Sequence, residues 1–212
     1  MEQILNNIST AVCEGKLEAC LDYSKQAIDA GIDIQTIINC GLTVGMEIIG
    51  ERFHKGTAFV PNLLLSARAM KGALEYIKPF MSADISYTVG KIVIGTVKGD
   101  LHDIGKNLVS YMFEGCGFEV INLGVDVSAE KFVTAVREYK PQIVCLSALL
   151  TTTMTYMKQV IDSLSDAGLR ESVLVFVGGA PLNEAFAKSI GADIYTSNAN
   201  SAVVKAKELL NL

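Results

Sequence analysis

The stretch Gly99-Asp100-Leu101-His102-Asp103-Ile104-Gly105 decides how the chain is read. It follows the apolar, β-branched run Lys91-Ile92-Val93-Ile94-Gly95-Thr96-Val97 and precedes Ile104, Leu108 and Met112, which share one face at helical spacing. A polar loop with one imidazole and two carboxylates therefore separates a buried strand from a helix. In an open α/β sheet such a loop lies at the carboxyl edge of the strands, where ligands bind. An imidazole there can ligate a metal while a nearby carboxylate fixes its tautomer through the other ring nitrogen. Asp100-x-His102 supplies both groups. The alternative is a solvated loop histidine beside acidic neighbours, and the heptapeptide alone leaves both readings open.

Outward from this loop, the pattern after Lys91 alternates strand and helix. Strands are expected at 91–97, 118–123, 142–147, 173–178 and 193–195, and helices at 104–115, 128–139, 154–167, 182–189 and 199–211. Five such alternations make a doubly wound five-stranded parallel sheet covered on both faces. Residues 1–82 carry helical periodicity and no strand pattern. Ile4, Ile8 and Val12 begin it, Leu17, Cys20, Leu21, Ser24 and Ile28 continue it, and Gly15 and Gly31 stand where helices stop. A third helix is expected from Ile34 to about Phe53 with Ile38, Leu42, Met46 and Ile49 inward, broken by Gly56. A fourth has Pro61 in its first turn and Leu64, Ala67, Met70, Leu74 and Ile77 on its inner face. Four helices on short connections read as an antiparallel bundle. The expected domains are 1–82 and 91–212, joined by a linker at 83–90.

Composition narrows the function classes. The chain has 212 residues, half of them hydrophobic, enough for a sizeable core. No apolar run is long enough to span a bilayer, and the start Met1-Glu2-Gln3-Ile4-Leu5-Asn6 lacks a signal-peptide pattern. The net charge of −5 argues against a nucleic-acid surface. Cys13, Cys20, Cys40, Cys116 and Cys145 form no Cys-x-x-Cys pair. They read as small buried hydrophobes in a reducing cytoplasm. His54, beside Arg52 and Lys55, reads as a solvated helix-end imidazole.

Three loops should share the carboxyl rim of the sheet. Asp100 to Gly105 follows the first strand, Ser147-Ala148-Leu149-Leu150-Thr151-Thr152-Thr153 the third, and Gly178-Gly179-Ala180-Pro181 the fourth. They bring a carboxylate–imidazole pair, a hydroxyl-rich uncharged segment and a stretch where a bulky group can approach the backbone. Singly, a threonine run can merely cap a helix and Gly-Gly merely turn the chain. Together, Asp100-x-His102-x-x-Gly105, Ser147-x-Leu149 after 41 residues and Gly178-Gly179 after 28 more resemble the cobalamin-binding pattern of the base-off, His-on class. Phe59-Val60-Pro61, Leu63-Leu64 and Ser66-Ala67-Arg68-Ala69-Met70-Lys71 resemble the helical cap of methionine synthase and of small corrinoid proteins. The chain is thus similar, nearly end to end, to the corrinoid proteins of methyltransferase systems that demethylate methylamines, quaternary amines or methanol.

The resemblance implies a Rossmann-like or flavodoxin-like cobalamin domain under a four-helix cap. It implies that His102 ligates cobalt from below in place of the cofactor's own base, and that Asp100 accepts a hydrogen bond from the other nitrogen of His102. Thr153 stands where methionine synthase has a serine continuing that relay. Gly105 leaves room for the nucleotide tail, Ser147 and Leu149 with Thr151 line its slot, and Gly178 and Gly179 let it pass. Asp103 carries no assigned role. Phe59, Val60 and Leu63 would cover the methyl-bearing face, although core packing explains each as simply, and the linker would act as a hinge. The implied cofactor is cobalamin or a related corrinoid, cycling between cob(I)alamin and methylcob(III)alamin in anaerobic one-carbon metabolism. The implied partners are a substrate-specific methyltransferase, a second methyltransferase acting on a thiol or tetrahydrofolate, and a reductive activation protein, with no nucleic acid or membrane. A cobalamin-dependent sensor would carry a DNA-binding module, and none is left over. The small subunit of an adenosylcobalamin mutase would leave residues 1–82 unexplained.

Overall fold

A computed structural model of the protein describes residues 1–81 and 88–211. Of the expected linker, residues 83–87 lie outside the described residues. The chain divides into two units, Met1–Val89 with Tyr111–Gly117, and Gly90–Ser110 with Phe118–Leu212.

The first unit is helical. It contains α1 (Glu2–Cys13), α2 (Leu17–Asp29), a rod built of α3 (Ile34–Thr36), a π-helical stretch (Ile37–Leu42) and α4 (Thr43–His54), and then α5 (Val60–Ile77). Gly15, Gly31 and Gly56 all take positive φ just beyond helix ends, the conformation that closes a helix with least strain in glycine. Ile38, Leu42, Met46 and Ile49 are buried along the third rod as their spacing requires. Two expectations fail here. Cys40 is exposed: Ile37, Ile38, Gly41 and Leu42 make the buried face of this stretch, and position 40 stands on the opposite side. The other four cysteines are buried, and burial pushes the Cys20 thiol up to about 12. Leu64 is also exposed, since α5 buries Leu63, Ser66, Met70, Ala73, Leu74 and Ile77 instead. A polar member, Ser66, sits within that buried face and donates to the Cys13 carbonyl at 3.2 Å. Its presence rotates the true stripe away from the one that apolar spacing suggests.

The second unit holds the sheet. Its strands are β1 (Lys91–Thr96), β2 (Glu119–Asn122), β3 (Ile143–Ser147), β4 (Leu174–Gly178) and β5 (Ile194–Tyr195), all parallel, in the order β2-β1-β3-β4-β5. The helices are α6 (Ile104–Gly115), α7 (Ala129–Tyr139), α8 (Thr151–Met154), α9 (Tyr156–Asp166), α10 (Glu184–Ser189) and α11 (Ala199–Leu210). The single helix expected at 154–167 is thus two, split at Thr155. Strands β1, β3 and β4 are apolar at nearly every position because both faces are covered. Alternation puts Val93, Val144, Leu146, Val175 and Val177 on one face, packed with Phe132, Val136, Met157, Val160, Leu164 and Ala187 of α7, α9 and α10. Gly95 lies on that face too, and the Phe132 ring fills the space its side chain would take, with Cζ 2.8 Å from where a Cβ would stand. Right-handed crossovers leave α6 and α11 for the opposite face.

Register across the sheet aligns Thr96, Ser147 and Gly178, so the last residues of β1, β3 and β4 form one rim. From that rim β1 connects outward to β2, whereas β3 connects the other way to β4. The β1 and β3 ends therefore flank the topological switch point, where the two loops diverge and leave a crevice.

Glycines along the chain are not equivalent, and substitution should separate them. Gly179 has φ +138, and a methyl group there would overlap the Ala148 carbonyl oxygen. Gly168 has φ +69 with no atom near its absent side chain. Chemical denaturation should find Gly168→Ala weaker by about 1 kcal/mol, the cost of the left-handed region alone. Gly179→Ala should lose more than about 2 kcal/mol, since strain and a backbone clash add.

Candidate functional site

The loop after β1 turns sharply. The Asp100 amide donates to the Val97 carbonyl at 3.1 Å, and Gly99 takes φ +84, as the third position of a type II turn demands. Thr96, the last residue of β1, closes the loop from below: its hydroxyl donates to the His102 carbonyl at 2.8 Å. The turn drives the Asp100 side chain inward, where it is wholly buried. Its two oxygens are shared between three segments. Oδ1 accepts from the His102 amide at 3.1 Å and lies 2.6 Å from His102 Nδ1. Oδ2 accepts from the Leu149 amide at 2.8 Å, the Leu150 amide at 3.3 Å and the Thr153 hydroxyl at 2.7 Å.

Those bonds set the protonation of the site. Burial would raise the Asp100 carboxyl, but the bonds from Thr153, Leu149 and His102 outweigh it and hold the group well below the usual carboxylate range. An ionised carboxylate can only accept, so His102 Nδ1 carries a proton, and in the neutral ring Nε2 is the nitrogen with the lone pair. The His102 side chain is 51% exposed, and among the described residues no hydrogen bond reaches Nε2. The loops held by Asp100 also carry exposed apolar groups: Leu101, Ile104, Leu149 and Leu150 are 71%, 78%, 43% and 42% exposed. A ligand with a metal for Nε2 and a broad apolar face would match this arrangement.

The residues singled out from the sequence divide as follows. Asp100, His102, Leu149 and Thr153 meet in one hydrogen-bonded cluster. Ser147 is half-buried at the end of β3, in register with Gly178, whose carbonyl accepts from the Ala148 amide at 3.3 Å. Gly179 is glycine for a reason internal to the fold, the Ala148 carbonyl. Gly105 is the reverse case. It lies in the first turn of α6, and a Cβ there would meet no protein atom within 4 Å. Nothing in the protein requires glycine there, which fits space kept for something else. Thr151 is exposed at the start of α8 and makes no bond to Asp100. Phe59 lies in the helical unit, 69% exposed, and Val60 is 36% exposed, so the core-packing reading fails for both, whereas Leu63 is fully buried. Asp103 accepts from the Asn107 side chain at 2.9 Å, one turn into α6. His54 is exposed at the end of α4, as expected.

Sequence reasoning missed three contributors. Thr96 gave a signal, a hydroxyl closing an apolar strand. Lys106 is buried, and its Nζ donates to Asn107 and Asn122 side chains at 2.6 and 2.8 Å, tying the first turn of α6 to the end of β2. Burial pushes its pKa down, partly offset by Asp103. Asp126, on the loop after β2, gave no local signal at all.

Both units of the chain match known families. A family model described as B12 binding domain matches residues 90–204, and a second, also described as B12 binding domain, matches residues 4–78. The chain is 42% identical to trimethylamine corrinoid protein 2 of Methanosarcina mazei, covering 100% of this chain and 98% of the relative. It is 43% identical to dimethylamine corrinoid protein 1 of Methanosarcina acetivorans, covering 99% and 98%. Among solved structures it resembles a cobalamin-binding protein from Desulfitobacterium hafniense, with TM-score 0.82, 34% identity and coverage of 96% and 97%. It also resembles a chain of the methanol:cobalamin methyltransferase complex from Methanosarcina barkeri, with TM-score 0.85, 33% identity and coverage of 99% of this chain and 80% of that one. Matched along its whole length by these relatives and in both units by the B12 binding models, the chain belongs to the B12-binding corrinoid proteins.

Proposed function

We propose that the protein carries a methyl group on the cobalt of a bound corrinoid, receiving it from one methyltransferase and yielding it to another that acts on a thiol or tetrahydrofolate. The observation that carries this reading is the half-exposed His102 imidazole, its Nδ1 held by buried Asp100 so that Nε2 is left for a ligand, on a loop that also exposes Leu101 and Ile104. A corrinoid supplies, when bound, a cobalt centre that accepts and releases a methyl group. The chain supplies the rest. His102 Nε2 would hold the metal. Asp100 keeps the proton of the imidazole on Nδ1 and fixes the ring, and Thr153 keeps Asp100 ionised and in place. Gly105 leaves room beside the loop for the cofactor's displaced nucleotide arm, with Ser147 offering a hydroxyl at the rim. Relatives named for trimethylamine and dimethylamine support methylated amines as the methyl source, and the resemblance to a methyltransferase complex chain supports a methyltransferase partner. A reductive activation protein belongs to the same reading.

The decisive test is the visible spectrum of the reconstituted protein. His102→Ala should still bind cobalamin but lose the imidazole-dependent band positions, and an unchanged spectrum would overturn the ligand assignment.

Gly105→Ala should part stability from binding. Alanine is the better helix former, so the ligand-free protein should gain up to about 1 kcal/mol in a urea melt, while corrinoid affinity measured by equilibrium dialysis should fall at least tenfold. Equal affinity would mean the space beside Gly105 is not used.

The third expectation concerns acid. Asp100 titrates lower when folded than unfolded, so its stabilisation is present above the unfolded carboxyl pKa, about 3.9, and lost as pH falls below it. Asp100→Asn should therefore be clearly less stable than the parent at pH 7, with the gap narrowing steadily below about pH 4. A gap independent of pH in thermal melts would contradict the ionised, hydrogen-bonded carboxylate.

A further inference from the structure

Three described residues other than glycine take positive φ: Asp126, Lys140 and Asn211. Lys140 and Asn211 cap the C-termini of α7 and α11, where a left-handed residue is ordinary. Asp126, at φ +51, caps no helix. It lies in the connection between β2 and α7, and its left-handed backbone turns it back on the loop after β1. Its carboxylate Oδ1 accepts from the Gly99 amide at 2.7 Å, and its own amide donates to the Asp100 carbonyl at 3.0 Å. On either side the two segments are laced together: the Thr96 amide donates to the Gly124 carbonyl and the Val127 amide to the Thr96 carbonyl, both at 3.0 Å. The Gly99-Asp100 pair is thereby gripped at both ends, by the Gly99 amide and the Asp100 carbonyl, from the β2 side by one residue using side chain and backbone together. The Asp100 carboxylate is gripped from the β3 side by Leu149, Leu150 and Thr153. A residue held in a sparsely populated conformation with both its polar groups committed to a neighbouring loop marks a place where position matters.

We propose that Asp126 is a positioning residue for the cofactor ligand: by clamping Gly99 and Asp100 it sets where the Asp100 carboxylate meets His102, and so how fully the imidazole engages cobalt. This rests on the reading of His102 as the lower ligand. Among the described residues, Asp126 makes no hydrogen bond to the imidazole or to the loops after β3 and β4. Its effect reaches His102 through two backbone bonds and the Asp100 carboxylate.

The test uses three full-length variants. Asp126→Gly keeps the left-handed backbone without strain and removes the acceptor, Asp126→Asn keeps an acceptor and tolerates the same φ, and His102→Ala serves as the reference. Two readouts are taken. The first is proton NMR of the cofactor-free protein, following the low-field resonance of the His102 Nδ1 proton bonded to Asp100. The second is the visible and electron paramagnetic resonance spectrum of the Co(II) corrinoid-loaded protein, which reports the imidazole-bound fraction. Asp126→Gly should remain folded, broaden or lose the low-field resonance, and lower the ratio of imidazole-bound to imidazole-free corrinoid about fivefold, as the loss of one ordinary hydrogen bond would. Asp126→Asn should restore both. If Asp126→Gly keeps the parent's resonance and the parent's spectrum, the proposal is overturned. If Asp126→Gly and Asp126→Asn both lower the melting temperature while leaving resonance and spectrum unmoved, the role is structural only and the proposal likewise falls. Should the parent's spectrum match that of His102→Ala, the ligand reading fails, and the cofactor-free resonance alone judges whether Asp126 positions Asp100.

Discussion

One buried carboxylate holds this site together. Asp100 has no exposed surface, and an isolated ionised group in such surroundings would be prohibitively unfavourable. It is tolerated because five donors surround it, drawn from its own loop, from the turn after β3 and from α8. Any arrangement of these loops that fails to deliver those donors leaves a charge stranded, so the loops have essentially one way to close. The bond that satisfies the carboxylate toward solvent is also the one that fixes the imidazole. Folding thus sets the His102 ring through the same bonds that make the buried carboxylate tolerable.

The sheet order explains why such a carboxylate is available. In the order β2-β1-β3-β4-β5 the loops after β1 and β3 part at the rim, one crossing to α6 and the other to α8 and α9. A side chain reaching inward from the first loop meets bare backbone amides of the second. In the interior of a singly wound sheet, successive loops would run the same way and leave no crevice for it to bridge.

Much of this was readable from the residues, and the failures have physical causes. Five strands and their helices follow from alternating apolar runs, because parallel strands buried on both faces leave little freedom in composition. The Asp100–His102 pair was readable because both members lie in one turn. Thr153 stands 53 positions beyond Asp100, and no periodicity links them, so it came from family resemblance alone. Thr96 and Asp126 act on backbone groups of the His102 loop, and a backbone partner, which every residue possesses, is marked by no sequence pattern. The exposures of Leu64 and Cys40 have a different cause: buried Ser66 belongs to the inward stripe of α5 but apolar spacing does not count it, and Cys40 was read from its residue type although it stands opposite Ile38 and Leu42.

The brevity of β5 has a bearing on how the protein meets other chains. With only Ile194 and Tyr195 in the sheet, that margin offers an incoming strand almost no rungs to zip onto, so neighbouring copies cannot readily join there edge to edge.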